Sequence, residues 1–383
     1  MTNRRNFLKQ ISVAGLVSCI PNIDISATAL NNAALDNILN TSKSRIAVAT
    51  DSPRIKIAQI GTGHMHAYKI GTLRKLTDLF EVVAVADDDP EQRKRNENKG
   101  LYKGLPWMST KELLAIPGLQ AVAVETEEHD PLPYALRCVQ AGKHVHLDKP
   151  AGESLADFKR ILDIAKSKNL TFHMGYMYRN NPAVQFCIKA VKDGLLGEIY
   201  DIDAAMNRFD DQSFRDIIKT FKGGTPFIFA CHLIDLVVTL MGKPEKIHPY
   251  IRKTRKDGVI DNSLIVFEYP NDGIATMRTS LNEVNGFENR YLTVRGSKGM
   301  IKICPLEVKG NMSGGTLYLT LAEAVGDFKK GEQIVEMPPL KDRYEDQWIE
   351  FANIINGEII NPYNYDHEYL VQKCLLKACK MDI

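Results

Sequence analysis

A strand, a glycine turn, a helix and a second strand open at Arg54 and limit the folds open to this chain. Ile55-Lys56-Ile57-Ala58-Gln59-Ile60 is short and apolar-rich, and Gly61-Thr62-Gly63-His64-Met65-His66 follows at once. A helix is expected from Ala67 to Leu76. Glu81-Val82-Val83-Ala84-Val85-Ala86 then reads as a buried strand ending at Asp87-Asp88-Asp89. This is the order of a dinucleotide-binding βαβ unit. Gly61 permits the tight turn and Gly63 lets the backbone approach a pyrophosphate, which the free N–H groups of the next helix then face. Thr62, His64 and Met65 complete the expected nucleotide site. The third glycine position is filled by His66, so helix and strand must accommodate a larger side chain there. Asp87 lies 26 residues after Gly61. A carboxylate at that place accepts from ribose hydroxyls and repels a 2′-phosphate, so NAD is expected ahead of NADP. Arg93 leaves a route to the extra phosphate, and capping of the helix that Pro90 opens is the structural alternative for Asp87.

Two further strands extend the sheet. Leu119 to Val124 ends in Glu125-Thr126-Glu127-Glu128-His129. After a helix from Leu132 to Ala141, His144-Val145-His146-Leu147 leads into Asp148-Lys149-Pro150. Ligands of open parallel sheets sit beyond the carboxyl ends of the strands, which is where Thr126 and Lys149 fall. Partial burial would pull a lysine there toward the working pH and make it an acid/base group, whereas spacing alone reads it as a solvated surface lysine. His129 and the His144/His146 pair read as structural.

The remainder sets limits. Hydrophobic residues are 44% and charged residues 25% of 383, an ordinary globular profile. Lys+Arg 49 against Asp+Glu 47 gives a formal charge of +2, and with no long basic run a nucleic-acid partner is not expected. The seven cysteines form no CxxC pair, so neither a zinc site nor a disulfide framework is expected, and no metal is assigned. Residues 1–53 read as an address and linker. Arg4-Arg5-Asn6-Phe7-Leu8-Lys9 followed by a modest apolar run to Ile20 resembles a twin-arginine export signal, which implies a periplasmic or membrane-anchored location. Leu16-Val17-Ser18-Cys19 resembles a lipobox that would lipidate Cys19; Ala27-Thr28-Ala29 offers ordinary cleavage instead.

From Thr171 the pattern changes to a helix and then many short alternating runs: Lys246–Thr254, Ser263–Tyr269, Gly273–Leu281, Tyr291–Arg295, Met300–Cys304 and Thr316–Leu321. Another helix is expected from Ile228 to Met241. The fold class is therefore α/β, with a Rossmann domain over 54–172 and an α+β domain with a large, mostly antiparallel sheet over 173–342. The last segment, 343–383, is expected to be helical around Asn361-Pro362 and to pack back on the first domain.

These pieces, together with Gly175-Tyr176-Met177-Tyr178-Arg179-Asn180-Asn181-Pro182 and Cys231-His232-Leu233-Ile234-Asp235, resemble the glucose–fructose oxidoreductase, inositol dehydrogenase and MocA family of NAD(P)-dependent sugar and polyol dehydrogenases. The resemblance implies that Lys149 is the catalytic lysine, also touching the cofactor, and that His232 exchanges the proton. It places Tyr178, Arg179, Asp235 and His232 around the substrate, while Asn207-Arg208, ending a strand toward the same pocket, could bind sugar hydroxyls. It further implies a carbohydrate substrate, oxidation at carbon 3 of a glycoside, and a dimer or tetramer. Export would require tightly held NAD, because free NAD is scarce outside the cytoplasm. The chain departs from the family twice. Ile228 stands where an acid is usual four residues before the histidine, and Thr126-Glu127 replaces Thr-Pro. An NAD-requiring glycosidase and a non-catalytic carbohydrate-binding protein are the alternatives.

Overall fold

A computed structural model describes residues 53–129, 131–308, 315–340 and 342–382. The first sheet has six parallel strands in the order β3-β2-β1-β4-β5-β6. They are β1 (Ile55–Ile60), β2 (Phe80–Ala86), β3 (Trp107–Met108), β4 (Ala121–Val124), β5 (His144–Leu147) and β6 (Phe172–Met174). All four residues of β4 are buried, as expected of a central parallel strand covered on both faces. The order in which strands are added reverses between β1 and β4, which run parallel, and this creates the crevice where ligands of such sheets bind.

The expected helix after the glycine turn is short and broken. A 3-10 turn at Ala67–Lys69 runs into a helix of four residues, Ile70–Leu73. Gly71 and Thr72 are poor helix formers, and the chain leaves the helix soon after them. The three aspartates after β2 divide their work. Asp89 caps the helix Pro90–Asn96 by accepting from the N–H of Glu91 and Gln92, and Asp88 accepts the N–H of Thr110. Asp87 is left for the crevice.

The second sheet has eight strands in the order β14-β13-β12-β11-β7-β10-β9-β8, antiparallel except where β7 runs parallel to β10. Its strands are β7 (Ile199–Asn207), β8 (Lys246–Arg252), β9 (Asn262–Glu268), β10 (Ile274–Ser280), β11 (Tyr291–Gly296), β12 (Gly299–Ile303), β13 (Leu317–Leu321) and β14 (Gly331–Val335). Alternation sorts the faces: Ser263, Ile265 and Phe267 of β9 are buried, whereas Leu264 and Val266 between them are half-buried. Helices cover the first face, and exposed Tyr250, Ile274 and Ile334 mark the other. The expected helix from Ile228 begins instead as a wide π turn, Pro226–Ala230, and becomes α-helical over Cys231–Met241, ending at Gly242.

The C-terminal segment forms two helices, Glu345–Ile355 and Tyr365–Ala378. Trp348 of the first sits edge-on to Phe80 of β2 at 6.2 Å and 4.4 Å from the His146 ring of β5. The second lies on the helices Leu155–Ser167 and Cys231–Met241, and its Tyr365 hydroxyl donates to the Leu170 carbonyl. The segment thus ties both sheets to one site. The twin-arginine-like segment expected from the sequence and Cys19 lie outside the described residues.

Candidate active site

The crevice begins at Gly61, whose φ of +86° suits glycine and whose missing side chain would meet the Thr126 backbone nitrogen at 2.5 Å. A Cβ on Gly63 would reach Glu127 at 2.7 Å. Two backbone surfaces therefore approach each other as a nucleotide cradle requires. The Thr62 N–H and hydroxyl both donate to Asp87 Oδ2, at 2.9 and 2.5 Å, and Asp87 Oδ1 accepts the Asp89 N–H at 3.1 Å. Burial raises the pKa of this carboxyl against those hydrogen bonds. Arg93 lies 3.3 Å from Glu97, and Gln92 donates to Glu127 at 2.6 Å. Thr126 and Glu127 thus stand against the glycine turn.

Below the turn lies a buried charge cluster. The Lys69 ammonium is 2.7 Å from Asp148 Oδ2, 2.8 Å from Glu125 Oε1 and 2.8 Å from His146 Nε2. The Asp148 carboxylate is held well below its usual range by His64 and Lys69 despite its burial, while burial keeps Glu125 protonated well above its own. One ammonium and one carboxylate therefore close the charge. His64 Nδ1 accepts the His66 N–H at 3.0 Å, which leaves the proton on Nε2, 3.2 Å from the Lys149 carbonyl. The His64 side chain thus fixes the backbone on both sides of the crevice. His64, His66 and Asp148 bring ligand atoms within 4.8 Å of one another. That spacing suits a metal ion, yet His64 Nδ1 is committed to a hydrogen bond and Lys69 already supplies a cation to Asp148.

Lys149 opens onto a cleft of about 660 Å³ between the two sheets. Met65, His66, Tyr178, Arg208 and His232 share that cleft, together with Phe229, Arg290 and Arg343. The Lys149 ammonium forms no ion pair with a carboxylate among the described residues. His232 is buried beside it, with its ring edge-on to Tyr176 and Tyr178 at 5.9 and 5.1 Å. Burial, and after it the Lys149 charge, pushes the His232 pKa well below 6.5, so the imidazole is neutral and its Nδ1 has no partner. Burial holds His66 neutral as well, at about 3.

Three of the sequence-derived substrate residues stand elsewhere. Arg179 pairs with Asp235 at 2.6 Å and with Glu368 at 2.7 Å, every one of these side chains being sealed from solvent. Arg179 and Asp235 therefore fix the helix Cys231–Met241 to the C-terminal helix from behind the cleft. The Asn207 side chain donates to Glu283 and does not line the cleft. Conversely, Lys69, Arg290, Glu307 and Arg343 escape sequence reasoning. Lys69 reads as one more helix-surface lysine, and the others sit on irregular segments with no motif around them.

A parallel βαβ sheet with a cradle for a dinucleotide, joined to an antiparallel sheet across a lysine-bearing cleft, defines a nucleotide-dependent oxidoreductase. The chain belongs to the Gfo/Idh/MocA family. Residues 55–176 match the model of the oxidoreductase family's NAD-binding Rossmann fold, and 184–302 match that of its C-terminal domain. Myo-inositol 2-dehydrogenase of Thermotoga maritima is 24% identical over 319 residues, 79% of this chain and 89% of that protein. The oxidoreductase YhhX of Escherichia coli is 29% identical over 192 residues, covering 49% of this chain and only 54% of its own length. Among solved structures, UDP-N-acetylglucosamine 3-dehydrogenase GnnA of Acidithiobacillus ferrooxidans has a TM-score of 0.70 at 17% identity, covering 86% of this chain and 98% of that one. The WlbA dehydrogenase of Bordetella pertussis, solved with NADH and UDP-GlcNAcA, has a TM-score of 0.67 at 18% identity, covering 86% and 97%.

Proposed function

We propose that this chain is an NAD-dependent dehydrogenase that oxidises a ring hydroxyl of a sugar or polyol, with carbon 3 of a glycoside as the preferred position. The observation that carries the reading is the unpaired Lys149 ammonium facing the same cleft as neutral His232. The activities of the inositol and UDP-N-acetylglucosamine relatives support a hydroxylated ring as substrate.

The residues fit the cofactor. The glycine turn and Thr126 would hold the pyrophosphate side, and Asp87 the adenosine ribose, for which its carboxylate favours NAD over NADP. When bound, the nicotinamide supplies the hydride acceptor. Lys149 donates to the reacting hydroxyl oxygen and stabilises the negative charge that grows there. His232, kept neutral by burial and by Lys149, accepts the hydroxyl proton. The Lys69–Asp148 pair acts behind Lys149: it anchors the loop without neutralising its ammonium. The missing acid at Ile228 is then no obstacle, since a neutral imidazole needs no second carboxylate to take one proton.

The reading extends to three features that rest on sequence. The twin-arginine-like segment would export the folded chain with NAD retained, Cys19 would anchor it through lipid, and a second copy would cover the open face of the eight-stranded sheet. Mass spectrometry of nucleotide released by denaturing the purified protein tests retention. One NAD per chain is expected, and a protein that is empty and binds neither NAD nor NADP would refute the catalytic reading.

A further inference from the structure

The hydrogen-bonding inventory of the cleft is lopsided. Its charged lining is Lys149, Arg208, Arg290 and Arg343, and among the described residues no aspartate or glutamate lines it. Ammonium and guanidinium groups only donate. A neutral sugar presents hydroxyls, each with a proton that must be accepted. Here, among the described side chains, those protons meet two imidazoles and two phenol oxygens: Tyr178, whose own proton goes to Glu307, and Tyr68, already hydrogen-bonded to Tyr344. A ligand rich in acceptors suits the lining better.

Charge gives the same answer. Two carboxylates stand behind the four cations. Asp210 takes Arg208 through two hydrogen bonds of 2.6 and 2.8 Å. Glu307 is divided between Arg343 at 2.7 Å and Arg290 at 3.7 Å. Asp148 is spent on Lys69, so it does not offset Lys149. Among the described residues, four cations against two carboxylates leave a surplus of two positive charges at the cleft. Arg208 and Arg290 are also fixed in advance. Arg208 stacks on Phe214 at 4.2 Å and Arg290 on Phe287 at 4.2 Å, and Arg290 Nε donates to the carbonyl of Asn207, the residue before Arg208. Little side-chain freedom is left for a ligand to remove.

We infer that the sugar bound here carries an anionic group, a carboxylate or a phosphate, seated by Arg208 and Arg290 while the reacting hydroxyl faces Lys149. The inference rests on the dehydrogenase reading for the chemistry at Lys149, but the anion preference belongs to the cleft itself.

Calorimetric titration of the full chain in the presence of NAD tests it with three probes that share one ring: glucuronate, glucose 6-phosphate and methyl glucoside. At least one anionic probe should bind about tenfold or more tightly than methyl glucoside, a difference of about 1.4 kcal/mol. The carboxylate and phosphate arms identify which anion is meant. Arg208→Gln and Arg290→Gln should each reduce the preference about tenfold. In the wild-type chain, raising salt should weaken anion binding and leave the neutral probe unaffected, a readout that does not depend on either variant folding. Equal or tighter binding of methyl glucoside, binding of none of the three, or a preference that survives both substitutions and high salt would overturn the inference. Nicotinamide reduction by neutral glucosides without anion preference would remove the anion site alone. Anion preference without reduction by any sugar would remove the dehydrogenase reading alone.

Discussion

The Lys69 ammonium lies 2.7 Å from Asp148 Oδ2, with both side chains sealed from solvent, and Asp148 is the residue directly before Lys149. The pair gives the loop after β5 a buried anchor. It also separates two lysines by role, since Lys69 is paired inside the sheet edge and Lys149 faces the cleft without a carboxylate partner among the described residues.

Lys69→Met removes the only ammonium in that cluster and strands the Asp148 carboxylate. Breaking a buried pair in this way costs about 3–5 kcal/mol, which urea unfolding would register. Asp148→Asn in the same background should restore part of the loss, because the orphaned charge is then gone.

Lys149→Met should lower kcat/KM by about 10²–10⁴, the range for removing a positioned proton-handling or charge-stabilising group. Its thermal midpoint should stay close to that of the parent, because the ammonium makes no carboxylate pair. Wild-type turnover in this variant would contradict the assignment.

Asp235→Ala should act on stability and not on substrate affinity. It leaves Arg179 with Glu368 alone and should cost about 3 kcal/mol. An unchanged KM in the folded fraction would separate this bracing role from the substrate contact that the Cys-His-Leu-Ile-Asp motif suggests.

The pH dependence has two limbs. His64, His66, His146 and His232 all have folded pKa values below 6.5, because burial favours their neutral forms. The unfolded chain therefore binds more protons, and stability falls as pH drops below about 6.5, by up to about 1.4 kcal/mol per unit for each histidine. Glu125, raised above 4.5 by burial, works in the opposite sense: its contribution is present at low pH and is lost as pH rises through its folded value. Denaturation at several pH values should show the histidine loss on the acid side, and Glu125→Gln should remove the opposing loss that runs upward from about 4.5. For activity, neutral His232 predicts that the acid limb of kcat/KM falls below pH 6.5.

What the sequence reveals here is what is encoded locally. β1, the glycine turn, β2 and Asp87 lie within 33 residues, and each is dictated by its neighbours. The strands of the second sheet are legible for the same reason, through alternation and turn residues. β14 is missed because Gly-Glu-Gln-Ile-Val has one strong apolar alternation and a glycine start. The site is harder. Lys69 meets partners 56 and 79 residues away, and Arg179 meets Asp235 and Glu368 at separations of 56 and 189. Such pairs leave no periodicity, so the two motifs that contain Arg179 and Asp235 read as substrate contacts when those side chains face inward. The cationic lining is illegible likewise, since Arg208, Arg290 and Arg343 converge only through the packing of both sheets with the C-terminal segment.

In the proposed reaction Lys149 serves oxidation of a sugar hydroxyl. That role is tested most directly in a single turnover, by mixing NAD-loaded protein with neutral and acidic sugars and following the near-ultraviolet absorbance of reduced nicotinamide. Reduction approaching one equivalent per site with a matching keto-sugar is expected in the wild-type chain, and none on that timescale in Lys149→Met. Loaded protein that reduces nothing with any sugar, or a variant that gives the wild-type burst, would contradict it.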